Sequence, residues 1–113
     1  MSKIITLNRN SDFRRLYNCG KCSKNPALVT YVKKNRAGIC RIGITVSKKI
    51  GNAVMRNRSK RIIRAAYTQC LPDIQGNWDI VFVARSKTPY LKSTDIYNIM
   101  VKQFSQLDLI SKG

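Results

Sequence analysis

The amino-acid sequence predicts an α+β fold, a single domain over residues 1–113 arranged as an αββαβα sandwich. Three observations lead there. Two strand-like runs, Leu28-Val29-Thr30-Tyr31-Val32 and Ile42 to Val46, precede a long amphipathic helix. A nearly continuous apolar run, Ile80-Val81-Phe82-Val83-Ala84, separates that helix from a second amphipathic one. A chain of this size makes one domain and buries about two-thirds of its unfolded surface. Its 43% hydrophobic content suits a packed core rather than disorder.

Each element has a local cause. Ser11-Asp12-Phe13-Arg14-Arg15-Leu16-Tyr17 reads as a short helix with Ser11 as its cap, Asp12 at the positive end and Gly20 just beyond. Leu28 to Val32 is rich in β-branched and aromatic residues, which favour a strand. Asn35-Arg36-Ala37-Gly38 suits a hairpin connection to the next strand, where Ile42, Ile44 and Val46 alternate with Arg41, Gly43, Thr45 and Ser47. A helix follows from about Ala53 to Cys70, capped by Asn52 and closed by Pro72. The apolar run that starts at Asp79 has the character of a central strand. Ser93 or Thr94 starts the last helix, in which Ile96, Ile99, Met100, Phe104 and Leu107 recur at helical spacing.

Charge narrows the function. Lys and Arg number 22 against 5 acids, a formal net charge of +17, and no acid occurs between Phe13 and Pro72. A folded chain with that imbalance repels itself unless a polyanion neutralises it, and nucleic acid does so with release of counterions. A merely basic surface, or attraction to anionic lipid, is the plainer alternative. No apolar run approaches the roughly 18 residues of a membrane span. Polar residues interrupt Met1–Arg9 too early for a secretion signal, so a cytosolic protein with no membrane partner is expected. The Cys19-Gly20-Lys21-Cys22 spacing is half of a zinc site, but no His and no second matching pair completes it. Reduced thiols are expected, with Cys70 in the core.

The long helix divides into two faces at ~100° per residue. Met55, Ser59, Ile62, Ile63, Ala66 and Cys70 fall on one side. Asn57, Lys60, Arg61, Arg64 and Thr68 fall on the other, with Arg56 and Arg58 at the boundary. A solvated helix face usually mixes charge signs for i,i+4 pairing, whereas this one carries only cations between Arg56 and Arg64. Most of them are Arg, which grips phosphate through two donors. Lys48, Lys49 and Gly51 precede the helix and place more donors near its free backbone N–H groups.

The block from Gly43 to Arg64 resembles the signature of bacterial ribonuclease P proteins. Arg56-Asn57-Arg58 is similar to the family's Arg-Asn-Arg motif, Lys60-Arg61 to the Lys-Arg after it, Asp12-Phe13 to its early Asp-Phe, and Asp79-Ile80-Val81 to its late Asp-Ile-Val. The likeness runs from about Arg9 to Leu107. It implies a mixed sheet of about four strands packed with helices and a left-handed βαβ crossover, where general rules favour a right-handed one. It also implies a protein subunit that binds a catalytic RNA and assists removal of the 5′ leader from precursor tRNA.

By that resemblance Lys49, Asn52, Arg56, Asn57, Arg58, Lys60, Arg61 and Arg64 meet the RNA subunit. Phe13, Tyr17 and Tyr31 line an aromatic leader cleft, with Lys48 and Arg56 at its basic edge. Tyr17 stands where the family often has Phe, and Cys19 and Cys22 have no place in its pattern. Aromatic faces stack on unpaired bases without demanding one sequence. Phe13 as plain core remains the alternative for that residue.

No catalytic residue and no metal ligand is expected in the protein. Protein metallonucleases need clustered carboxylates or His, and this chain has no His and only Asp12, Asp73, Asp79, Asp95 and Asp108, widely spaced. Mg²⁺ is expected only at the RNA active site of the holoenzyme, with no cofactor bound by the protein alone and no obligate protein partner. A ribosomal-protein-like or chaperone-like RNA-binding module shares the charge but does not require the aromatic cleft.

Overall fold

A computed structural model describes residues 5–7 and 9–110, so part of the Met1–Arg9 stretch read for a secretion signal lies outside the described residues. The helices and strands run β1 (Ile5–Thr6), α1 (Asn10–Cys19), β2 (Lys21–Asn25), β3 (Leu28–Lys34), β4 (Arg41–Thr45), α2 (Ala53–Cys70), β5 (Trp78–Ala84) and α3 (Ser93–Gln106). The strands form one mixed five-stranded sheet in the order β1-β4-β5-β3-β2, not a sheet of about four. The two strands absent from the three read off local pattern, β1 and β2, carry weak local signals. β1 is two residues long, held parallel to β4 through Ile5–Arg41 and Thr6–Ile42. β2, Lys-Cys-Ser-Lys-Asn, has little strand propensity. It is extended because the Asn25 turn folds it back on β3, with Asn25 Oδ1 accepting the Ala27 N–H at 2.8 Å.

The connection after β3 is not a hairpin. β5 lies between β3 and β4, antiparallel to the first and parallel to the second. β5 is buried along nearly its whole length, so it takes the centre, where both of its edges are paired. The Asn35–Gly38 segment steps over it instead. Asn35 Oδ1 accepts the Ala37 N–H at 2.9 Å, and its Nδ2 donates to Asp79 Oδ1 at 2.8 Å, which ties the turn to β5. Asp79 also accepts two 2.8 Å bonds from Arg41. That pairing, opposed in part by burial, holds the guanidinium above its usual pKa.

α1 begins earlier than expected. Arg9 caps it, and its carbonyl accepts from Asp12 N at 3.0 Å, so Ser11 lies inside the first turn rather than capping it. α2 has the expected bounds, with Asn52 Oδ1 accepting the Met55 N–H at 3.0 Å. At α3 the Lys92 N–H donates to Asp95 Oδ2 at 3.0 Å.

The sheet carries a core on each face. On one, Ile42, Ile80, Phe82, Leu28 and Val32 pack against Ile63, Ala66, Tyr67 and Cys70 of α2 and Ile96, Met100 and Phe104 of α3. Phe82 sits between the rings of Tyr67 and Phe104, at 5.9 and 6.0 Å. Burial pushes the Cys70 thiol up to about 12 and raises Tyr67 as well. Gln103 of α3 satisfies the polar groups buried there: it accepts from the Thr30 hydroxyl at 2.6 Å and donates to the Leu28 and Ser23 carbonyls. On the other face a smaller cluster of Leu7, Leu16 and Val81 gathers half-buried Phe13, Tyr31 and Val83 beneath α1. Among the described residues no helix is long and apolar enough to cross a membrane.

Candidate nucleic-acid interface

α2 separates its two faces by periodicity. Ser59, Ile63, Ala66, Tyr67 and Cys70 are buried, while Asn57, Arg58, Lys60, Arg61 and Arg64 are exposed and Arg56 is half-buried. Tyr67 was missing from the expected inward set, and Met55 and Ile62 are only half-buried. Among the described residues the one ion pair is Arg41–Asp79, so no carboxylate neutralises the cations of α2. Ahead of the helix, a 3-10 turn at Lys48–Ile50 leaves Lys48 and Lys49 exposed. Gly51 follows at φ 144, a conformation that side chains rarely adopt, and lets the chain swing into the Asn52 cap.

The α1 face of the sheet is built from two neighbouring rows of side chains. The pairing registers place Gly43, Val81, Tyr31 and Cys22 side by side in the first row. α1 covers this row. Phe13 lies over Gly43, so close that a Cβ there would stand 2.4 Å from the ring. Leu16 packs on Val81, and Tyr17 meets Tyr31 edge-on with ring centroids 4.9 Å apart. The second row is Thr45, Val83, Val29 and Lys24. This row runs beside the one that α1 covers and spans about 14 Å over three strand spacings, a candidate groove floor of half-buried Thr45 and Val83, buried Val29 and exposed Lys24. The Tyr17 hydroxyl reaches Thr45 Oγ1 at 3.1 Å and walls the β4 end. Lys24 and Arg85 bound the far end beside Val29.

The structure therefore divides the expected aromatic trio. Tyr17 and Tyr31 touch, and Tyr17 is 40% exposed. Burial, then Cys22 and Tyr17, raise the Tyr31 hydroxyl pKa. Phe13 stands apart: it is half-buried in the small core, and its outer edge lines a separate depression shared with Lys60 and Arg64. Lys48 lies three residues beyond Thr45, at the β4 end of the groove. The expectation did not include Thr45, Val83, Val29 and Lys24, which only strand pairing brings onto one face, or Arg85, which lines the depression beside Val29. Cys19 and Cys22 are free, exposed thiols. Among the described residues no three His, Cys, Asp or Glu gather to hold a metal.

Comparison with known proteins gives one answer throughout. The family model described as Ribonuclease P matches residues 1–108. A Ribonuclease P protein component from Clostridium novyi (strain NT) is 44% identical over 90 residues, covering 78% of this chain and 80% of its own. One from Alkaliphilus oremlandii (strain OhILAs) is 32% identical over 113 residues, covering 100% of this chain and 99% of its own. The solved RNase P protein of Staphylococcus aureus superposes with a TM-score of 0.83 at 32% identity, covering 96% of this chain and 100% of that one. That of Thermotoga maritima gives 0.78 at 26%, covering 94% and 97%.

Proposed function

Because this chain belongs to the ribonuclease P protein family, we propose that it is the protein subunit of a ribonucleoprotein endoribonuclease, acting with a catalytic RNA to remove the 5′ leader of precursor tRNA in the cytoplasm. The observation that carries this reading is the division of labour between two surfaces. The outward side of α2 presents exposed Arg58, Lys60, Arg61 and Arg64 without a neutralising acid. A separate strip on the α1 side sets the Tyr17–Tyr31 pair beside a strand row of half-buried Thr45 and Val83 and buried Val29.

The first surface suits a folded RNA, which presents a dense array of phosphates and no need for base reading. In this assignment Lys49, Asn52, Arg56, Asn57, Arg58, Lys60, Arg61 and Arg64 hold the RNA subunit. The groove suits the single-stranded leader. Tyr17 and Tyr31 stack on unpaired bases, and Lys48 and Arg56 follow the backbone toward α2. Each stacked base contributes about 1–3 kcal/mol whatever its identity, so leaders of different sequence are accepted. Phe13 has a smaller share, because most of its ring supports α1 on Gly43.

Cleavage itself would belong to the RNA, whose bound Mg²⁺ would activate a water for attack on the phosphodiester, with no residue of this chain in that step. The protein raises local affinity for substrate and lowers repulsion between two polyanions. Reconstitution tests the assignment. The purified chain alone leaves precursor tRNA intact, and adding the catalytic RNA restores 5′ processing at low Mg²⁺. A folded chain that gives no gain over the RNA alone refutes it. Tyr31→Ala loses roughly 1–3 kcal/mol of affinity for leader-bearing tRNA; an equal loss with mature tRNA contradicts the groove assignment.

A further inference from the structure

Tyr90 has no part in either surface described above, yet it is 75% exposed, more than Tyr17, Ile39 or Val54. Its mount is rigid. Tyr90 ends a 3-10 turn, Thr88–Tyr90, in which Thr88 and Pro89 are buried. The Thr88 hydroxyl donates to the Ala27 carbonyl at 2.7 Å and accepts the Arg85 N–H at 2.8 Å, locking the turn to the β2–β3 connection. Among the described residues none hydrogen-bonds to the Tyr90 side chain or packs a ring on it. A protein that fixes a backbone this firmly and leaves the aromatic ring outside has prepared a contact rather than a core.

The surroundings say what kind. The turn packs against α2, on the side of the sheet opposite the groove. Three residues on, Ser93 joins Arg58 and Arg61 around a shallow depression floored by Ile62 and Ala65. Lys87 and Lys92 flank Tyr90 in sequence and are exposed. The nearest acid in sequence, Asp95, accepts the Lys92 N–H, keeps its charge and is outnumbered by Lys87, Lys92, Arg58 and Arg61. The surface is thus cationic, continuous with α2, and carries one free aromatic face.

We propose that Tyr90 is a stacking platform for an unpaired base of the RNA subunit, with the adjoining phosphates on Arg58, Arg61 and Lys92. This rests on the assignment of α2 to the RNA subunit. An aromatic ring among cations is the arrangement that binds unstacked bases without reading their sequence, and its rigid turn lowers the ordering cost of contact.

The test is titration of the full chain with the catalytic RNA over a range of salt. Tyr90→Ala weakens binding roughly 5- to 150-fold, the loss of one stacked base, while Tyr90→Phe and Tyr90→Trp bind like the parent. The salt slope stays unchanged, since no charge is removed. Affinity of the assembled holoenzyme for leader-bearing tRNA also stays unchanged, which separates this site from the groove. An alanine variant within twofold of the parent overturns the proposal, as does a phenylalanine variant that loses as much as alanine. Arg61→Ala with unaltered affinity and slope would instead overturn the assignment of α2, so the two failures are distinguishable.

Discussion

Gly43→Ala probes how closely α1 is seated on the sheet. The new Cβ would stand 2.4 Å from Phe13 Cζ and 2.6 Å from Cε1. Carbon atoms pack best at about 3.5–4.0 Å, so the ring has to withdraw by about 1 Å. It cannot slide freely, because Leu7, Leu16 and Val81 hold it. The helix must lift with it. Overpacking of this kind costs about 1–3 kcal/mol. With a urea dependence of about 1–3 kcal/mol per molar, the unfolding midpoint falls by roughly 1 M. Lifting α1 also disturbs the 4.9 Å contact of Tyr17 with Tyr31, so leader affinity drops alongside stability. Urea unfolding of Gly43→Ala, Phe13→Leu and the double variant forms a cycle. The smaller Leu side chain makes room, so the double variant loses less than the sum, by about 0.5–3 kcal/mol of coupling. A Gly43→Ala loss below about 0.5 kcal/mol, the scatter of neutral surface changes, or a cycle without coupling, refutes the reasoning.

Gln103→Leu leaves the Thr30 hydroxyl and the Leu28 carbonyl without their partner; each unsatisfied buried group costs about 1–3 kcal/mol, and Thr30→Val in the same chain recovers part of the loss in thermal or urea unfolding. Arg61→Ala lowers affinity for the catalytic RNA and makes the slope of log affinity against log salt shallower by about 0.7–0.9, one phosphate contact; an unchanged slope excludes that contact. Cys70 sets an alkaline limit: its thiol titrates near 9 when unfolded and at about 12 when folded. Above pH 9 the unfolded chain therefore binds fewer protons, and stability present below that pH declines by up to about 1.4 kcal/mol per unit. Cys70→Ala delays the onset of decline to about pH 10, where the raised Tyr67 takes over; a decline that still starts at 9 contradicts the assignment.

Periodicity, capping and charge are written residue by residue, which is why much of this protein was legible in advance. The bounds of α2, its Asn52 cap, its split between a buried Ile63–Ala66–Cys70 side and an exposed Lys60–Arg61–Arg64 side, and the central character of β5 all follow from local pattern. So does the expectation of a polyanionic partner, since an acid-free run of cations needs only counting. Tertiary structure decided what local pattern cannot carry. Whether Asn35–Gly38 closes a hairpin or bridges a strand depends on β5, more than forty residues away in sequence. β2 exists because β3 offers it partners, not because Lys21–Asn25 prefers to be extended. The groove floor of Thr45, Val83, Val29 and Lys24 comes from four strands whose register is a property of their pairing. That Phe13 sits on Gly43, thirty residues later, is likewise a contact that only the fold creates. Hydrogen bonds between strands and contacts across layers join residues by distance in space, and a sequence records only distance along the chain.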